Sequence, residues 1–357
     1  MIYVDNAATT KPKQEVVEAI IQCLTETWGN PSSLYSFGRE ARDIVENSRN
    51  NIAKFIGAKP SEIIFTSGAC ESNSHAICGY LKNNNYRLIT TQIEHKSILN
   101  IASEYIDRTT LIPVDTNGFV DMAALESALE NKPHLVSIQY ANNEIGTVQN
   151  IKEISNLVHS YGCLLHTDAT QIIPDRKISV KGIDMMSFSG QKFGAPKGIG
   201  VLYVRKGIKL SPIIYGSQEQ ARRGGTENVP YIAGIAAAIN SIQYPTSELR
   251  DYFVSRVLSE INDCYLVGCE CGEHRLKNNA SIYFNGVKSE TILLMLAQKK
   301  IYASAGSACN SNISSYVLDA IKVPSNNVVR FTFDNNTKDE INTVIDELIK
   351  IINLLRR

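Results

Sequence analysis

A chain of 357 residues is too long for one small module, and at about 150 residues per domain it predicts roughly two. Hydrophobic residues make up 43% and charged residues 20%, ordinary values for a folded globular protein that exclude disorder as the main theme. Lys plus Arg and Asp plus Glu each number 36, so no overall field draws the chain to nucleic acid or membrane, and neither is expected as a direct partner. The longest apolar stretches, such as 234–240, fall far short of the ~20 residues that cross a bilayer. Residues 1–13 lack the basic start and apolar core of a signal peptide, so the protein is expected to stay in the cytoplasm. Eight cysteines, at 23, 70, 78, 163, 264, 269, 271 and 309, are too thinly spread for a disulfide scaffold and are expected as reduced thiols.

Val16, Val17, Ile20, Ile21 and Leu24 fall on one helical face. Ile44, Val45, Ile52, Phe55 and Ile56 mark a second helix, and both are expected to be core helices. From residue 63 onward short β-branched runs at 63–66, 87–91, 111–114, 135–140, 164–168, 185–189 and 200–204 alternate with helical patterns. That rhythm belongs to βαβ units feeding a mostly parallel sheet, hence the α/β class. A third helix over about 229–242 is followed by a turn-like segment at 243–248, which is the expected domain junction. Beyond it the pattern predicts a helix at 249–262, a strand at 280–285, a helix at 290–299 and a strand at 330–333. A closing helix places Ile341, Val344, Ile345, Leu348, Ile349 and Ile352 on one stripe.

Three segments carry candidate chemistry. In Phe65-Thr-Ser-Gly-Ala-Cys-Glu-Ser-Asn73 a strand ends in a small-residue turn that opens a helix. Its free N–H groups and positive helix end suit a phosphate, although an ordinary capped turn has the same pattern. In Leu164-Leu-His-Thr-Asp-Ala-Thr-Gln171 a carboxylate, Asp168, stands at a strand end, where open α/β sheets bind ligands. It can cap a helix or hold a heterocyclic nitrogen protonated. In Ser187-Phe-Ser-Gly-Gln-Lys-Phe-Gly-Ala-Pro-Lys-Gly198 a lysine, Lys192, sits in a glycine-rich turn after another strand. Desolvation there would free its amine to attack a carbonyl, whereas Lys197 nearby reads as solvated. Cup, acid and lysine together describe a pyridoxal 5′-phosphate (PLP) site.

Their order resembles the cysteine desulfurases of the class V aminotransferase-like group, nearly end to end. The motifs that carry the resemblance are Tyr3-Val-Asp-Asn-Ala-Ala-Thr-Thr10, Gly29-Asn-Pro-Ser-Ser33, Thr66-Ser-Gly68, Glu94-His95, Ala141-Asn-Asn-Glu-Ile-Gly146, His166-Thr-Asp-Ala-Thr-Gln171, Lys192, Gly225-Thr-Glu-Asn228, Gly306-Ser-Ala-Cys309 and Val329-Arg-Phe331. The resemblance implies the fold-type-I PLP architecture. A large domain over 15–245 would hold a seven-stranded sheet, and 1–14 with 246–357 would form a smaller α+β domain carrying the thiol loop.

The resemblance also implies roles. Lys192 carries the PLP aldehyde, Asp168 pairs with the ring nitrogen, and Asn143 and Gln171 flank the phenolic oxygen. His95 stacks on the ring and moves the substrate's thiol proton. Ala69, Cys70 and Ser189 hold the phosphate, with Thr226 reaching in from a second copy, which implies a homodimer. Arg330 grips the carboxylate of L-cysteine, with Asn30 a weaker candidate for the same pocket. Cys309, in a run of small polar residues, is the nucleophile that takes the sulfur as a persulfide and passes it to an acceptor protein. The recipient is left open between iron–sulfur assembly, tRNA thiolation, another thio-cofactor and DNA sulfur modification.

Three features depart from the family pattern. Gln191 stands where a histidine is usual, Cys70 replaces a threonine of the phosphate turn, and the stretch from Cys309 to Arg330 is short. Two other functions stay open on the residues alone: transamination or selenocysteine lysis with Cys309 dispensable, and a degenerate scaffold that only binds a sulfur-handling partner. Cys264, Cys269 and Cys271 cluster without a fourth ligand and are not expected to hold zinc; no metal is expected.

Overall fold

The structure is a computed structural model and describes residues 1–82, 86–131, 134–305 and 314–357. Twelve strands occur among the described residues. They are β1 (Ile2–Tyr3), β2 (Ile63–Thr66), β3 (Leu88–Thr91), β4 (Thr109–Ile112), β5 (Leu135–Ser137), β6 (Leu164–Asp168), β7 (Met185–Ser189), β8 (Gly200–Val204), β9 (Cys264–Leu266), β10 (Asn279–Phe284), β11 (Ile301–Tyr302) and β12 (Val328–Thr332).

Seven of them form the large sheet in the order β2-β8-β7-β6-β5-β3-β4. Only β8 runs against its neighbours, β2 and β7; the other pairs are parallel. β2, β7 and β8 are buried along their whole length, which suits their mostly apolar sequences, since helices cover both faces of such a sheet. Because every strand but β8 points the same way, Thr66, Thr91, Ser137, Asp168 and Ser189 all end at one edge. That edge is where open α/β sheets collect ligands.

Two strands differ from the sequence reading. The run expected at 111–114 pairs two residues earlier, at Thr109–Ile112. The strand expected over 135–140 keeps partners on both sides only to Ser137, although Ile138 and Tyr140 still donate to the carbonyls of His166 and Asp168. The helix Gln14–Thr25 differs more. Val16 and Cys23 are buried, but Val17, Ile21 and Leu24 are exposed, so the helix turns only one side of its apolar face to the core. It packs on the helix Val229–Asn240, where Gly234 makes room for Ile20. The second expected core helix, Ser36–Ile56, is deeply packed and stops at Gly57 in the left-handed conformation (φ 75°), a common helix end.

The C-terminal residues build a separate antiparallel sheet, β12-β10-β9, under the helices Glu248–Glu260, Ser289–Gln298 and Lys338–Leu355. Their shared core contains Phe253, Phe331 and Phe333, with ring centroids 4.8 and 5.2 Å apart, and the apolar stripe of the last helix. Val4 belongs to this core as well. The start of the chain is therefore sewn to its end: β1 pairs with β11, and Thr332 donates to the carbonyl of Val4 (2.7 Å). A few residues later the chain crosses to the large sheet, where Thr10 donates to the carbonyl of Gln191 and Lys13 to that of Gly194.

Glycines set the turn at the end of β2. A Cβ on Gly200 would lie 2.5 Å from the Cα of Gly68, so this contact requires glycine on the β8 side. Gly200→Ala is expected to cost about 1–3 kcal/mol in urea-unfolding measurements, the usual range for overpacking. An unchanged midpoint would contradict the contact.

Candidate active site

The amine of Lys192, one turn past β7, donates to the carbonyl oxygens of Ala7 (2.8 Å) and Ala8 (2.6 Å). The N-terminal segment thus lies over the lysine as a wall of backbone acceptors. Gln171 donates to the same Ala7 oxygen (3.2 Å), placing two expected site residues on one atom. Burial, with the Arg330 charge adding to it, pulls the Lys192 amine down from 10.5 to about 8. Lys197, by contrast, is exposed. A cavity of about 80 Å³ beside the amine is lined by Ala7, Gln171 and Lys192 from one side and Asn278 and Asp334 from the other.

Asp168, at the end of β6, is buried. Its Oδ1 accepts from the backbone of Thr170 (2.9 Å) and its Oδ2 from Asn73 Nδ2 (2.7 Å). Asn73 also donates to Ser97 Oγ (3.0 Å), and Ser97 meets His95 Nδ1 through its hydroxyl (2.8 Å) and its backbone N–H (3.2 Å). His95 is exposed and caps the helix Lys96–Glu104. Asn73 and Ser97 were not singled out from sequence; the available signals were a polar residue about one turn into the helix Ala69–Leu81 and a serine just after Glu94-His95.

Arg330, on β12, is almost fully buried. It is paired with Asp5 (2.7 Å) and donates to the carbonyl of Asn143 (3.0 Å). Asn143 stands beside Glu144, whose carboxylate accepts from Ser315 (2.5 Å). Tyr316 donates to the carbonyl of Glu94 (2.8 Å). The chain re-entering the described region after residue 313 is therefore pinned beside His95 and Arg330. Cys309 itself lies outside the described residues.

The cup at the start of the helix Ala69–Leu81 has the expected parts. Ala69 is half-buried, Cys70 is exposed and Ser189 is buried, with Ser189 Oγ beside Gly68. Glu71 adds a carboxylate, which accepts from Ser67 N–H (2.8 Å) and is neutralised by Arg223 (2.9 Å). Arg223 follows three consecutive non-glycine residues in left-handed conformations, Glu219, Gln220 and Ala221 (φ 49°, 60° and 61°). A buried ion pair between Glu219 and Arg49 (2.7 Å) holds this turn, and Glu219 also accepts from Phe65 N–H (3.1 Å). Thr226, just beyond, is exposed. Asn30 is exposed as well, and its carboxamide oxygen is taken by Ser32 N–H (2.9 Å). Among the described residues no hydrogen bond ties Asn30 to the Lys192 cluster.

The residues present fit PLP. A depressed lysine amine suits its aldehyde, a buried carboxylate suits its ring nitrogen, and a helix N-terminus with Ser189 suits its phosphate. Two residues of the site keep a buried polar atom without a partner, Asn73 at Oδ1 and Arg330 at Nε.

The model of the aminotransferase class-V family matches residues 2–344. A cysteine desulfurase IscS of Dictyoglomus turgidum is 43% identical, covering 99% of this chain and 95% of its own. A NifS-like protein of known structure superposes with a TM-score of 0.91 at 32% identity, over 99% of both chains. SspA, solved in complex with cysteine, superposes with a TM-score of 0.84 at 32% identity, over 93% of this chain and 99% of that one.

The uncharged amine is the form that attacks an aldehyde. Capture of PLP by the apoprotein, followed by absorbance across a pH series, is therefore expected to rise through a midpoint near 8. Arg330→Gln removes the cation that helps to depress the amine, so the midpoint should move upward. A midpoint in the parent protein at lysine's ordinary 10.5 would contradict the electrostatic account.

Proposed function

The chain belongs to the aminotransferase class-V family and, within it, to the cysteine desulfurases. From that premise we propose that it removes sulfur from L-cysteine, leaving L-alanine and a persulfide on Cys309 that an acceptor protein collects. The observation that carries this reading is the Lys192 amine, lowered to about 8 and enclosed by the N-terminal segment, in a cluster with Gln171 and Arg330.

Bound there, PLP supplies a sink for the electrons released at the substrate's Cα. Lys192 would hold the cofactor through its aldehyde and would move the substrate's Cα proton. Its amine near 8 can both accept and return one close to neutral pH. Asp168 keeps the ring nitrogen protonated, oriented by Asn73 and by the Thr170 N–H. Ala69, Cys70 and Ser189 would hold the phosphate, and Gln171 and Asn143 would serve the phenolic oxygen. Arg330 receives the substrate carboxylate through its unpartnered Nε, while its two terminal nitrogens are held by Asn143 and Asp5. The Cys309 thiolate attacks the substrate sulfur; an S–S bond forms as the C–S bond breaks, and the electron pair stays with the carbon that becomes alanine.

The active unit we propose is a homodimer in the cytoplasm, with the large unit at 15–245 and the small unit at 1–14 and 246–357. Val17, Ile21 and Leu24 form an exposed stripe on one helix, and Trp28, Leu34 and Tyr35 continue it. An apolar surface of that kind favours a second copy over water. Thr226, exposed past the Glu219 turn, would reach the partner's phosphate cup.

Cys309→Ser is expected to abolish persulfide and sulfide formation from L-cysteine while the bound cofactor's absorbance persists. Sulfide release at the parent rate would overturn the assignment, and survival of alanine formation from selenocysteine alone would favour the lyase alternative. Ile21→Asp is expected to convert a dimer into a monomer in sedimentation equilibrium. A parent protein that sediments as a monomer would contradict the dimer.

A further inference from the structure

Ser304 and Ser315 stand on either side of Cys309 in the sequence, and both are fixed beside Arg330 and its partners. Ser304 exchanges two backbone hydrogen bonds with Arg330 (3.2 and 2.6 Å). Ser315 is buried, and its hydroxyl works in two directions. The oxygen accepts from Leu318 N–H (3.2 Å), which caps the helix Tyr316–Ala320. Its one proton is left for Glu144 Oε2 at 2.5 Å. Glu144 is itself held firmly. Its N–H donates to Asn142 Oδ1 (2.8 Å), and its carbonyl accepts from Asn279 (3.3 Å) and Ser281. The carbonyl one residue earlier, on Asn143, takes Arg330. Burial pushes the Glu144 carboxyl above the ordinary carboxylate range, and the Ser315 hydroxyl is the foremost of the groups that pull it back.

We propose that Glu144 is a positioning residue for sulfur transfer: by taking the Ser315 proton it fixes the root of the segment that carries Cys309 beside the substrate pocket. This rests on the reading of Cys309 as the sulfur acceptor. The helix Tyr316–Ala320 does not need the bond to stay in place, because Val317, Leu318 and Ile321 pack with Ile93, Ile145 and Val267. What the bond adds is direction. Ser315 is the residue from which the chain leaves that helix toward Cys309, so its orientation governs where the preceding residues start. A group tethered near a fixed root meets a bound partner at a higher effective concentration than one on a slack root. Glu144 touches neither cofactor nor substrate and acts only through Ser315.

The test is the single-turnover rate of persulfide formation on Cys309 in the holoenzyme at saturating L-cysteine, read by mass spectrometry. Ser315→Gly removes the hydroxyl, and glycine costs a helix start little, so this variant is expected to fold. Ser315→Asp keeps a capping oxygen but has no proton for Glu144 and repels it. Both should form persulfide about tenfold more slowly, within the loss that a misplacement of about 1 Å can bring. Ser315→Thr should keep the parent rate. The double variant Glu144→Gln/Ser315→Asp turns the bond around at unchanged net charge, with the glutamine NH₂ donating and the aspartate accepting, and should recover most of the rate. Alkylation of Cys309 by iodoacetamide, which needs no alignment with bound substrate, should proceed at the parent rate throughout, and the cofactor's absorbance change on adding L-cysteine should persist. Parent rates of persulfide formation in Ser315→Gly and Ser315→Asp, a reversed pair no faster than Ser315→Asp alone, or an equal loss in alkylation would overturn the proposal and leave the desulfurase reading intact. A parent protein that forms no persulfide would overturn both.

Discussion

An amine held away from water, with backbone carbonyls as its hydrogen-bond partners, is the constraint on which the rest of the site depends. A buried ammonium is costly, and the protein lessens that cost by letting the amine titrate near 8 instead of 10.5. The carbonyls of Ala7 and Ala8 satisfy whatever protons remain. They can do so only because the first residues of the chain are fixed at both ends. Val4 and Asn6 are bonded to Thr332 of the C-terminal sheet, and Thr10 and Lys13 to Gln191 and Gly194 beside the lysine. The N-terminal segment therefore clamps the two sheets together, with the reactive amine beneath it.

Charge compensation organises what surrounds the amine. Arg330 would repel it more strongly were Asp5 not within 2.7 Å of the guanidinium. Glu71 would oppose a phosphate at its own helix N-terminus were Arg223 not paired with it. The left-handed turn that delivers Arg223 is itself strained, and such residues cost of order 1–3 kcal/mol each. The Arg49–Glu219 pair pins that turn to β2. Removing Arg49 would leave the buried Glu219 carboxylate without its ion-pair partner, which is more costly than the pair is stabilising. Cofactor cup, turn and exposed Thr226 are in this way one mechanical unit.

Much of this was legible in the sequence. Apolar runs such as Met185–Ser189 and Gly200–Val204 announce themselves because both faces are covered, and the residues just past strand ends are the ones that gather around Lys192. The two-residue strands β1 and β11 were not legible, since their pairing joins residues about 300 positions apart and leaves no local pattern. Helical periodicity gave the Gln14–Thr25 helix its apolar face but could not tell core from an uncovered surface, so Val17, Ile21 and Leu24 were misassigned to the interior. Asn73, Ser97 and Glu144 escaped notice because their meaning lies in hydrogen bonds across elements, which spacing along the chain does not encode. Asn30 was suggested by its motif alone, and its side chain caps a turn instead of meeting the cluster.

The central claim is that the side chain at 192, and no other amine, holds the cofactor. Borohydride reduction of the holoprotein followed by peptide mass mapping tests this directly. The account predicts the reduced cofactor's mass on the peptide containing Lys192, unchanged in a Lys197→Ala protein. Label found on Lys197, spread over exposed lysines, or absent altogether would contradict it.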